Sequence, residues 1–457
     1  MENWISKNNK VWNFLFEKYN IVDEVNKNGF FEIAADQIKE AGREPRLMTK
    51  FDSSENLPKI FTDNKLAILP IRRGSYIIGR FENYQDVELN NNIDVVTKYL
   101  PDYITTIDYS NITSEAVSLN SAYVSGMIED IVGEPVIPTI QGRMGTGEFD
   151  YQISLNDKTN FNVNVQNSQM EIDGSYEGIT KFVILEAKNH YMKDFIIRQL
   201  YYPYKVWKKV TNKEIIPVML IKHDNIFNFY IYSFTDDNNY NSINLKKIKR
   251  FILDEAYNPI EFEDIIDVMN NVKYVEETDQ NPFPQANSFY RVLDLINELN
   301  SQELSPSEIA ELYEFDIRQA NYYLAAGQYL GFIEKDKNYK LTDYGKRIMK
   351  MNHKNKNLEI INAILSHKPF YFALEQYIKY FDFKPNKIAD IIYDYRAEIN
   401  SRETAIRRTS TVIAWIKWII ELTTTIEQKP FEKWDRWGLF FYNNNKIFLK
   451  YFIIIDF

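Results

Sequence analysis

The chain has 457 residues, 45% of them hydrophobic, no cysteine, and a formal net charge of −10 at pH 7. This length is typical of about three domains with well-packed cores. The lack of cysteine excludes disulfides and cysteine-ligated zinc and predicts a reducing, cytoplasmic environment. No apolar run is long enough for a membrane span, and Met1-Glu2-Asn3-Trp4 does not predict a signal peptide. The net negative charge excludes a nucleic-acid-binding protein whose whole surface is basic, so contact with DNA would use local basic patches.

Residues 1–110 are predicted to form an N-terminal α/β domain, for which DNA contact is one open function. Helices are expected at residues 11–19 and 35–41, and a strand at residues 66–71. Arg72-Arg73-Gly74 follows this strand. The arginine pair either contacts a phosphate or lies in a solvated turn, and the sequence favours neither.

Residues 111–132 predict one helix in front of the main sheet. Thr113 can cap this helix, and Glu115 lies in its first turn, where the helix dipole favours a carboxylate. The stabilising first-turn role is the simpler explanation of Glu115, and a contribution to a metal site is the alternative.

The glycine-rich residues 141–147 lack the spacing of a phosphate-binding loop. They are predicted to form a mobile, DNA-facing loop that carries Arg143. Strands are expected at residues 148–153 and 161–165. The first of these contains Asp150, a second-ranked alternative to Asp173 as an acidic ligand.

One stretch organises the chain, Phe182-Val183-Ile184-Leu185-Glu186-Ala187-Lys188-Asn189, which predicts a buried strand. A period of two places Glu186 and Lys188 on the same face, and buried charges require a partner or a metal. A turn centred near Gly178 and Ile179 would place Asp173 opposite Glu186 and Glu171 opposite Lys188. Carboxylates on one face can hold Mg²⁺.

The segments after this strand predict a helix and two further strands. The helix is expected at residues 193–210, where Arg198, Gln199, Tyr202 and Lys205 recur at helical spacing. The strands are expected at residues 215–221 and 226–234.

One pattern in the sequence resembles the signature of the PD-(D/E)XK nucleases, in the context of type II restriction endonucleases. It consists of Asp173, a gap of twelve residues, and then Glu186-Ala187-Lys188. Gln169-Met170-Glu171-Ile172-Asp173 and Arg198-Gln199-Leu200-Tyr201-Tyr202-Pro203 support the resemblance. Ile172 stands where the proline of the family name would be. The resemblance covers residues 111–250 in detail and extends loosely towards residue 425.

This resemblance implies an α/β (α+β) restriction-endonuclease-like core with a mixed sheet, at residues 111–280. It implies a prokaryotic, cytoplasmic restriction–modification enzyme, a site-specific deoxyribonuclease that hydrolyses double-stranded DNA with Mg²⁺. Asp173 and Glu186 would hold the metal, and Lys188 would orient or activate the water and stabilise charge on the phosphate. The secondary candidates for this site are Glu115, Asp150, Glu171 and Gln199.

Three alternatives remain open for the function. Glu186 and Lys188 can form a purely structural ion pair on a sheet. The chain can be a catalytically inactive DNA-binding regulator with a nuclease-like fold. A nuclease acting on RNA or modified DNA is the third. For the DNA endonuclease, a palindromic target would favour a homodimer.

Residues 285–353 follow a proline-rich linker, Asn281-Pro282-Phe283-Pro284, and predict a winged helix-turn-helix domain. Three helices are expected to precede a two-stranded wing. Arg318, Gln319 and Asn321 lie near the start of the third helix. There they either read base edges in the major groove or bind phosphate without specificity.

Residues 354–425 predict a second, winged-helix-like helical domain. Arg407 and Arg408 lie near the start of its last long helix and are predicted to contact DNA. The aromatic tail at residues 426–457 predicts a terminal hairpin.

Overall fold

The computed structural model describes residues 7–88, 93–109, 112, 114–253, 258–277, 282–313, 315–395, 399, 401–423, 439–443 and 446–450. Its architecture is mixed α/β with mixed sheets. The chain divides into two compact units. The first comprises residues 1–89, 95–254 and 309–318, and the second comprises residues 90–94, 255–308 and 319–457. No helix of the described residues is both long enough and apolar enough to span a bilayer.

The N-terminal part of the first unit packs short helices on a sheet. Trp12 and Leu15 of the first helix are buried with Ile33, Ile68 and Ile78 of the sheet strands. The elements are α1 (Lys7–Lys18), α2 (Ile21–Asn28), β1 (Phe30–Ala34), α3 (Ala35–Glu40), α4 (Pro45–Thr49), α5 (Lys59–Asp63), β2 (Ala67–Arg72), β3 (Ser75–Gly79), β4 (Tyr84–Asp86) and β5 (Val95–Lys98).

The rest of the first unit alternates helices with longer strands. Its elements are α6 (Glu115–Val124), α7 (Met127–Val132), β6 (Ile137–Pro138), β7 (Gly142–Gly145), β8 (Glu148–Ser154), β9 (Asn160–Gln166), β10 (Gln169–Ile172), β11 (Gly174–Glu177), β12 (Lys181–Lys188), β13 (Asp194–Ile196), α8 (Arg198–Lys208), β14 (Glu214–His223), β15 (Ile226–Phe234) and β16 (Ile243–Leu253).

Two larger sheets organise this unit. The five-stranded sheet has the order β1-β3-β2-β9-β8, and the seven-stranded sheet has the order β5-β16-β15-β14-β12-β11-β6. Strand β12 runs antiparallel to β11 and parallel to β14. Strands from both sides of residue 110 share each sheet, so the predicted domain boundary at that residue cuts through both.

Two apolar layers cover the faces of the seven-stranded sheet. Ile184 of β12 packs with Leu200 of α8 and Tyr151 of β8 in one layer. Val183 and Leu185 pack on the opposite face, in a layer that includes residues of α6 and α7. Burial on both faces explains why β12 is apolar along most of its length.

Two predicted helices differ from the structure. The single helix predicted at residues 111–132 is two helices, α6 and α7, because Gly126 adopts a left-handed φ of 74° between them. Thr113, the predicted cap, lies outside the described residues, and the Ser114 hydroxyl accepts from the backbone N–H of Val117 instead. The helix predicted from residue 193 begins at Arg198, because strand β13 pairs with β4 before it.

The glycine-rich residues 141–147 also differ from the prediction. Residues 142–145 form strand β7, which pairs antiparallel with β10. This pairing places Arg143 opposite Glu171, and the two side chains form an ion pair at 3.1 Å. The predicted mobile loop is therefore a hydrogen-bonded strand.

The second half of the chain is mainly helical. Its elements are α9 (Phe262–Asn271), α10 (Phe289–Leu299), α11 (Pro306–Leu312), α12 (Ile317–Tyr329), β17 (Ile333–Lys335), β18 (Tyr339–Leu341), α13 (Asp343–Met349), α14 (His353–Leu365), α15 (Lys368–Tyr380), α16 (Pro385–Tyr395) and α17 (Arg402–Glu421). The three helices and two-stranded hairpin predicted at residues 285–353 are present.

A capping box begins α11, as the sequence predicts. The backbone N–H of Ser305 donates to Glu308 Oε2 at 2.7 Å, and the Glu308 N–H donates to Ser305 Oγ at 3.3 Å. In the second unit, Trp415 and Trp418 of α17 pack against Phe289 of α10. The described residues between 353 and 423 form four helices without a strand, so no wing is present among them.

The predicted tail hairpin is present as β19 (Leu439–Asn443) and β20 (Lys446–Lys450), which pair antiparallel. The remaining tail residues, and Asn281 of the predicted linker, lie outside the described residues.

Candidate active site

The period-two pattern of β12 places two charges on one face. Ile184 belongs to the apolar layer beneath the five-stranded sheet, and Glu186 and Lys188 continue its face. Both charged residues are buried, with exposed fractions of 5% and 6%. Such burial requires partners for both charges.

Three carboxylates surround the ammonium group of Lys188. Its Nζ donates to Glu186 Oε1 at 3.0 Å and to Asp52 Oδ2 at 3.2 Å. Glu115 Oε1, in the first turn of α6, lies 3.9 Å away. The buried lysine is thus the centre of an acidic cluster from three separate parts of the first unit.

Asp173 is tied to the same strand by its backbone. The predicted turn register is confirmed, because Gly174 pairs with Leu185 and Asp173 is the next residue towards Glu186. Asp173 Oδ2 accepts a hydrogen bond from the backbone N–H of Ala187 at 2.9 Å. The prediction that Glu171 lies opposite Lys188 is wrong, because β10 leaves this sheet and pairs with β7.

The segment around Asp52 is anchored from both sides. The Asp52 carbonyl oxygen accepts a hydrogen bond from the backbone N–H of Ile196 at 2.9 Å. Asp194 Oδ1 accepts from Ser53 Oγ and from the Ser54 N–H, both at 2.7 Å. These bonds hold the buried Asp52 carboxylate beside Lys188.

Helix α8 contributes the next contacts. The Gln199 amide donates through Nε2 to Glu186 Oε1, the oxygen that Lys188 also contacts. Gln199 Oε1 and Arg198 Nε are buried and have no hydrogen-bond partner among the described residues. Each of these two atoms therefore has an unmet hydrogen-bonding capacity.

A cavity of about 440 Å³ lies over this cluster, within the first unit. Its carboxylates are Asp52, Glu115, Glu171, Asp173 and Glu186. Its cations are Arg46, Lys50, Arg72, Arg73, Arg143, Lys188 and Arg198. Seven cations against five carboxylates make the lining cationic, although the whole chain carries a net charge of −10.

Burial and neighbouring charges shift the pKa values of the ionisable groups in this cluster. Burial would raise the pKa of Asp52, but Lys188, Lys50 and Arg198 outweigh it and lower that pKa to about 2. Burial raises the pKa of Glu186 well above its usual value, and the nearby Asp173 and Asp52 carboxylates add to this effect. Burial opposes the charged form of Lys188, but the surrounding carboxylates, chiefly Glu186 and Asp52, raise its pKa well above normal.

The lining chemistry fits Mg²⁺ bound jointly with a ligand. No group of three or more His, Asp or Glu residues in the described part of the chain is arranged to enclose a metal by itself. Mg²⁺ needs no such cage, since it commonly binds through one or two carboxylates, several waters and phosphate oxygens. Asp173 and Glu186 provide two carboxylates beside the orphaned Gln199 Oε1.

The structure brings most of the predicted site residues together. Asp173, Glu186, Lys188, Glu115 and Gln199 all line the cavity, and Glu171 and Arg143 reach it from β10 and β7. Asp150 does not line it. That residue lies on β8 of the five-stranded sheet, where it accepts a hydrogen bond from Asn164 Nδ2 at 2.8 Å.

The predicted DNA-reading residues lie outside this cavity. Arg318, Gln319 and Asn321 are exposed near the start of α12, and Ala320 and Leu324 are buried beneath them. This alternation is that of an amphipathic helix that packs on one face.

The predicted DNA-contacting arginines of the last long helix lie near the start of α17, as expected. The helix begins at Arg402, so Arg407 and Arg408 belong to its second turn. Arg407 is exposed and donates through Nη2 to Thr404 Oγ1 at 3.1 Å. Arg408 is half-buried.

Sequence reasoning missed Asp52, Lys50 and Arg46, and it had no functional role for Arg198. Phe51-Asp52-Ser53-Ser54 looks like an ordinary polar loop, and its ion-pair partner Lys188 is 136 residues away. The adjacent serine pair was the only local sign, because Ser53 and Ser54 hold the buried Asp194. Arg198 was noted for its helical spacing and as part of the segment that supports the resemblance, without a role of its own.

Three family models match separate parts of the chain, each described as a domain of unknown function. DUF6996 matches residues 9–78, DUF6997 matches residues 79–252 and DUF7226 matches residues 291–424. No curated protein and no solved structure matches the chain. The cavity combines residues of the first two matches, since Asp52 belongs to one and Glu186 to the other.

Proposed function

We propose that this protein is a Mg²⁺-dependent endonuclease of the PD-(D/E)XK type that hydrolyses double-stranded DNA. One observation carries the proposal: Asp173, Glu186 and Lys188, which match the family signature, converge in one cationic cavity. A structural ion pair alone would not require a second carboxylate, an orphaned amide oxygen and a ring of arginines around it.

The fold supports the same assignment. In the resembled family, the signature acids lie on an antiparallel pair of strands in a mixed sheet between helices. Here Asp173 directly precedes β11, β11 pairs antiparallel with β12, β14 runs parallel to β12, and α6 and α8 flank the sheet.

The roles follow from the positions of the side chains. Asp173 and Glu186 would hold Mg²⁺, which supplies positive charge against the phosphate oxygens when it is bound. The Lys188 ammonium group donates hydrogen bonds that orient the attacking water and stabilise negative charge on the phosphate. The water oxygen forms a bond to phosphorus as the bond from phosphorus to one bridging oxygen breaks. The attacking water releases a proton to solvent, and the leaving oxygen takes up a proton from solvent.

The cationic rim favours a polyanionic substrate. Arg72 and Arg73 lie at the β2–β3 turn, and Arg143 lies on β7. All three line the cavity. Such side chains attract phosphates without reading bases, so they would position DNA rather than select a sequence.

Sequence selection is assigned to the helical part of the chain. The helices α10, α11 and α12, followed by the β17–β18 hairpin, support a winged-helix function for residues 285–353. The exposed Gln319 and Asn321 can each make two parallel hydrogen bonds to adenine. A palindromic site would be read by a homodimer.

Cleavage of plasmid DNA tests this function. We expect the full chain to cut supercoiled plasmid at defined positions in Mg²⁺, and excess EDTA to abolish the cutting. Glu186→Gln, which keeps the shape and removes the charge, should be inactive, and mapped ends should share one sequence. Cutting that is equally fast in EDTA would contradict the proposal.

The same assay separates the enzyme from a DNA-binding regulator. A regulator would bind DNA in a gel-shift assay and leave it intact in Mg²⁺ and in Mn²⁺. RNA and methylated plasmid as substrates would show whether the site acts on a different nucleic acid.

A further inference from the structure

We propose that Asp52 is a positioning residue for Lys188, through which the N-terminal segment completes the active site. This inference rests on the proposed nuclease function. It gives residues 9–78 a role in the reaction itself rather than in DNA contact alone.

The first step is geometric. Lys188 Nζ has three N–H donors. One contacts Glu186 Oε1 at 3.0 Å, and another contacts Asp52 Oδ2 at 3.2 Å. Glu115 is more distant at 3.9 Å and its side chain is 42% exposed. Asp52 is therefore the second close, buried anion on the amine.

The second step concerns the competing demands on Glu186. Its Oε1 already accepts from both Lys188 and Gln199. As a proposed metal ligand, Glu186 would have less of its negative charge available to the amine. Asp52 would keep the ammonium group in place under those conditions.

The third step is the rigidity of the Asp52 segment. Asp52 is 6% exposed, and Ser53 and Ser54 bond to the buried Asp194 beside it. Just before it, the Phe51 carbonyl accepts from the Tyr84 hydroxyl at 3.0 Å. Anchors on both sides fix the carboxylate, which is what a positioning residue requires.

A single-turnover cleavage assay tests the catalytic role. We expect Asp52→Asn to lower the rate by about 100-fold, with the Kd for DNA within twofold of wild type. Asp52→Glu, which keeps the charge, should recover part of the rate. Asp36→Asn makes the same chemical change at an exposed position outside the cavity and should cut normally.

A double-mutant cycle on urea unfolding gives a readout that does not depend on cleavage. We expect Asp52→Asn to lower the unfolding midpoint of the wild-type protein. In a Lys188→Ala background it should leave the midpoint unchanged or raise it, because it then removes repulsion between Asp52 and Glu186.

The outcomes are distinct. If the wild-type protein cuts DNA and folded Asp52→Asn cuts at the wild-type rate, the positioning role is overturned and the nuclease function stands. If the wild-type protein does not cut, the nuclease function falls and the catalytic role of Asp52 falls with it. Additive effects in the unfolding cycle would show that Asp52 does not hold Lys188 at all.

Discussion

Asp173 accepts a hydrogen bond from the backbone N–H of Ala187 at 2.9 Å. Ala187 lies between Glu186 and Lys188, so this bond holds the Asp173 carboxylate beside the charged pair of β12. Asp173, Glu186 and Lys188 therefore lie together at one end of the strand pair.

We expect Glu186→Ala and Lys188→Ala to abolish cleavage while DNA binding persists. Loss of a metal ligand or of a charge-stabilising donor should lower the rate by at least about 100-fold. The measurements are plasmid cleavage and gel-shift affinity. Glu177→Gln on β11, which pairs with Lys213 outside the cavity, is the matched control and should cut normally. Wild-type cleavage by either alanine variant would remove that residue from the active site.

The effect of Asp173→Asn should differ sharply from that of Asp150→Asn. Asp173 lines the cavity, and Asp150 bonds to Asn164 in the other sheet. The first variant should lose cleavage and the second should retain it, measured under identical Mg²⁺ titrations. The reverse pattern would assign the metal to Asp150 and overturn the proposed ligand pair.

Asp52 should contribute to stability in a pH-dependent way. Its pKa is lowered from 3.8 to about 2 in the folded state. The stabilisation that comes from a lowered pKa is fully present when the pH is above the unfolded-state pKa. It is lost as the pH falls through the folded-state pKa. The shift corresponds to about 2 kcal/mol. Asp52→Asn should therefore destabilise the protein at pH 7 and approach wild-type stability between pH 4 and pH 2.

Urea unfolding of both proteins across this pH range measures the effect. Asp102→Asn, at an exposed position outside any helix, should follow the wild-type curve throughout. A difference between Asp52→Asn and wild type that stays constant down to pH 2 would show that the charge of Asp52 does not produce its stabilisation.

The exposed residues of α12 and α17 should affect binding differently. Asn321→Ala should cost about 1–3 kcal/mol at its target site and relax one base position. Arg407→Ala should weaken binding to all sequences alike and reduce the salt dependence by about one charge. Selection from a randomised DNA library, combined with salt titrations, separates the two. An unchanged sequence preference in Asn321→Ala would exclude a base contact by this side chain.

Much of the site could be predicted from local patterns. The period of two along β12 correctly placed Glu186 and Lys188 on one face, because side-chain direction alternates in every strand. The turn before β12 correctly placed Asp173 at the level of Glu186, because an antiparallel register follows from the position of the turn. The capping box at Ser305 likewise marked the start of α11.

Other parts depend on long-range packing. The sequence did not predict that β10 pairs with β7. This pairing places Glu171 opposite Arg143, whereas the sequence predicted it opposite Lys188. It also did not predict the approach of Asp52 to Lys188. Both arrangements satisfy buried or edge groups with partners far along the chain, and no local periodicity encodes which partner is chosen. Local sequence determined strand β12, its register with β11 and its charged face. Tertiary packing placed the Asp52 carboxylate and the cavity arginines beside that face, because only the folded chain brings those segments together.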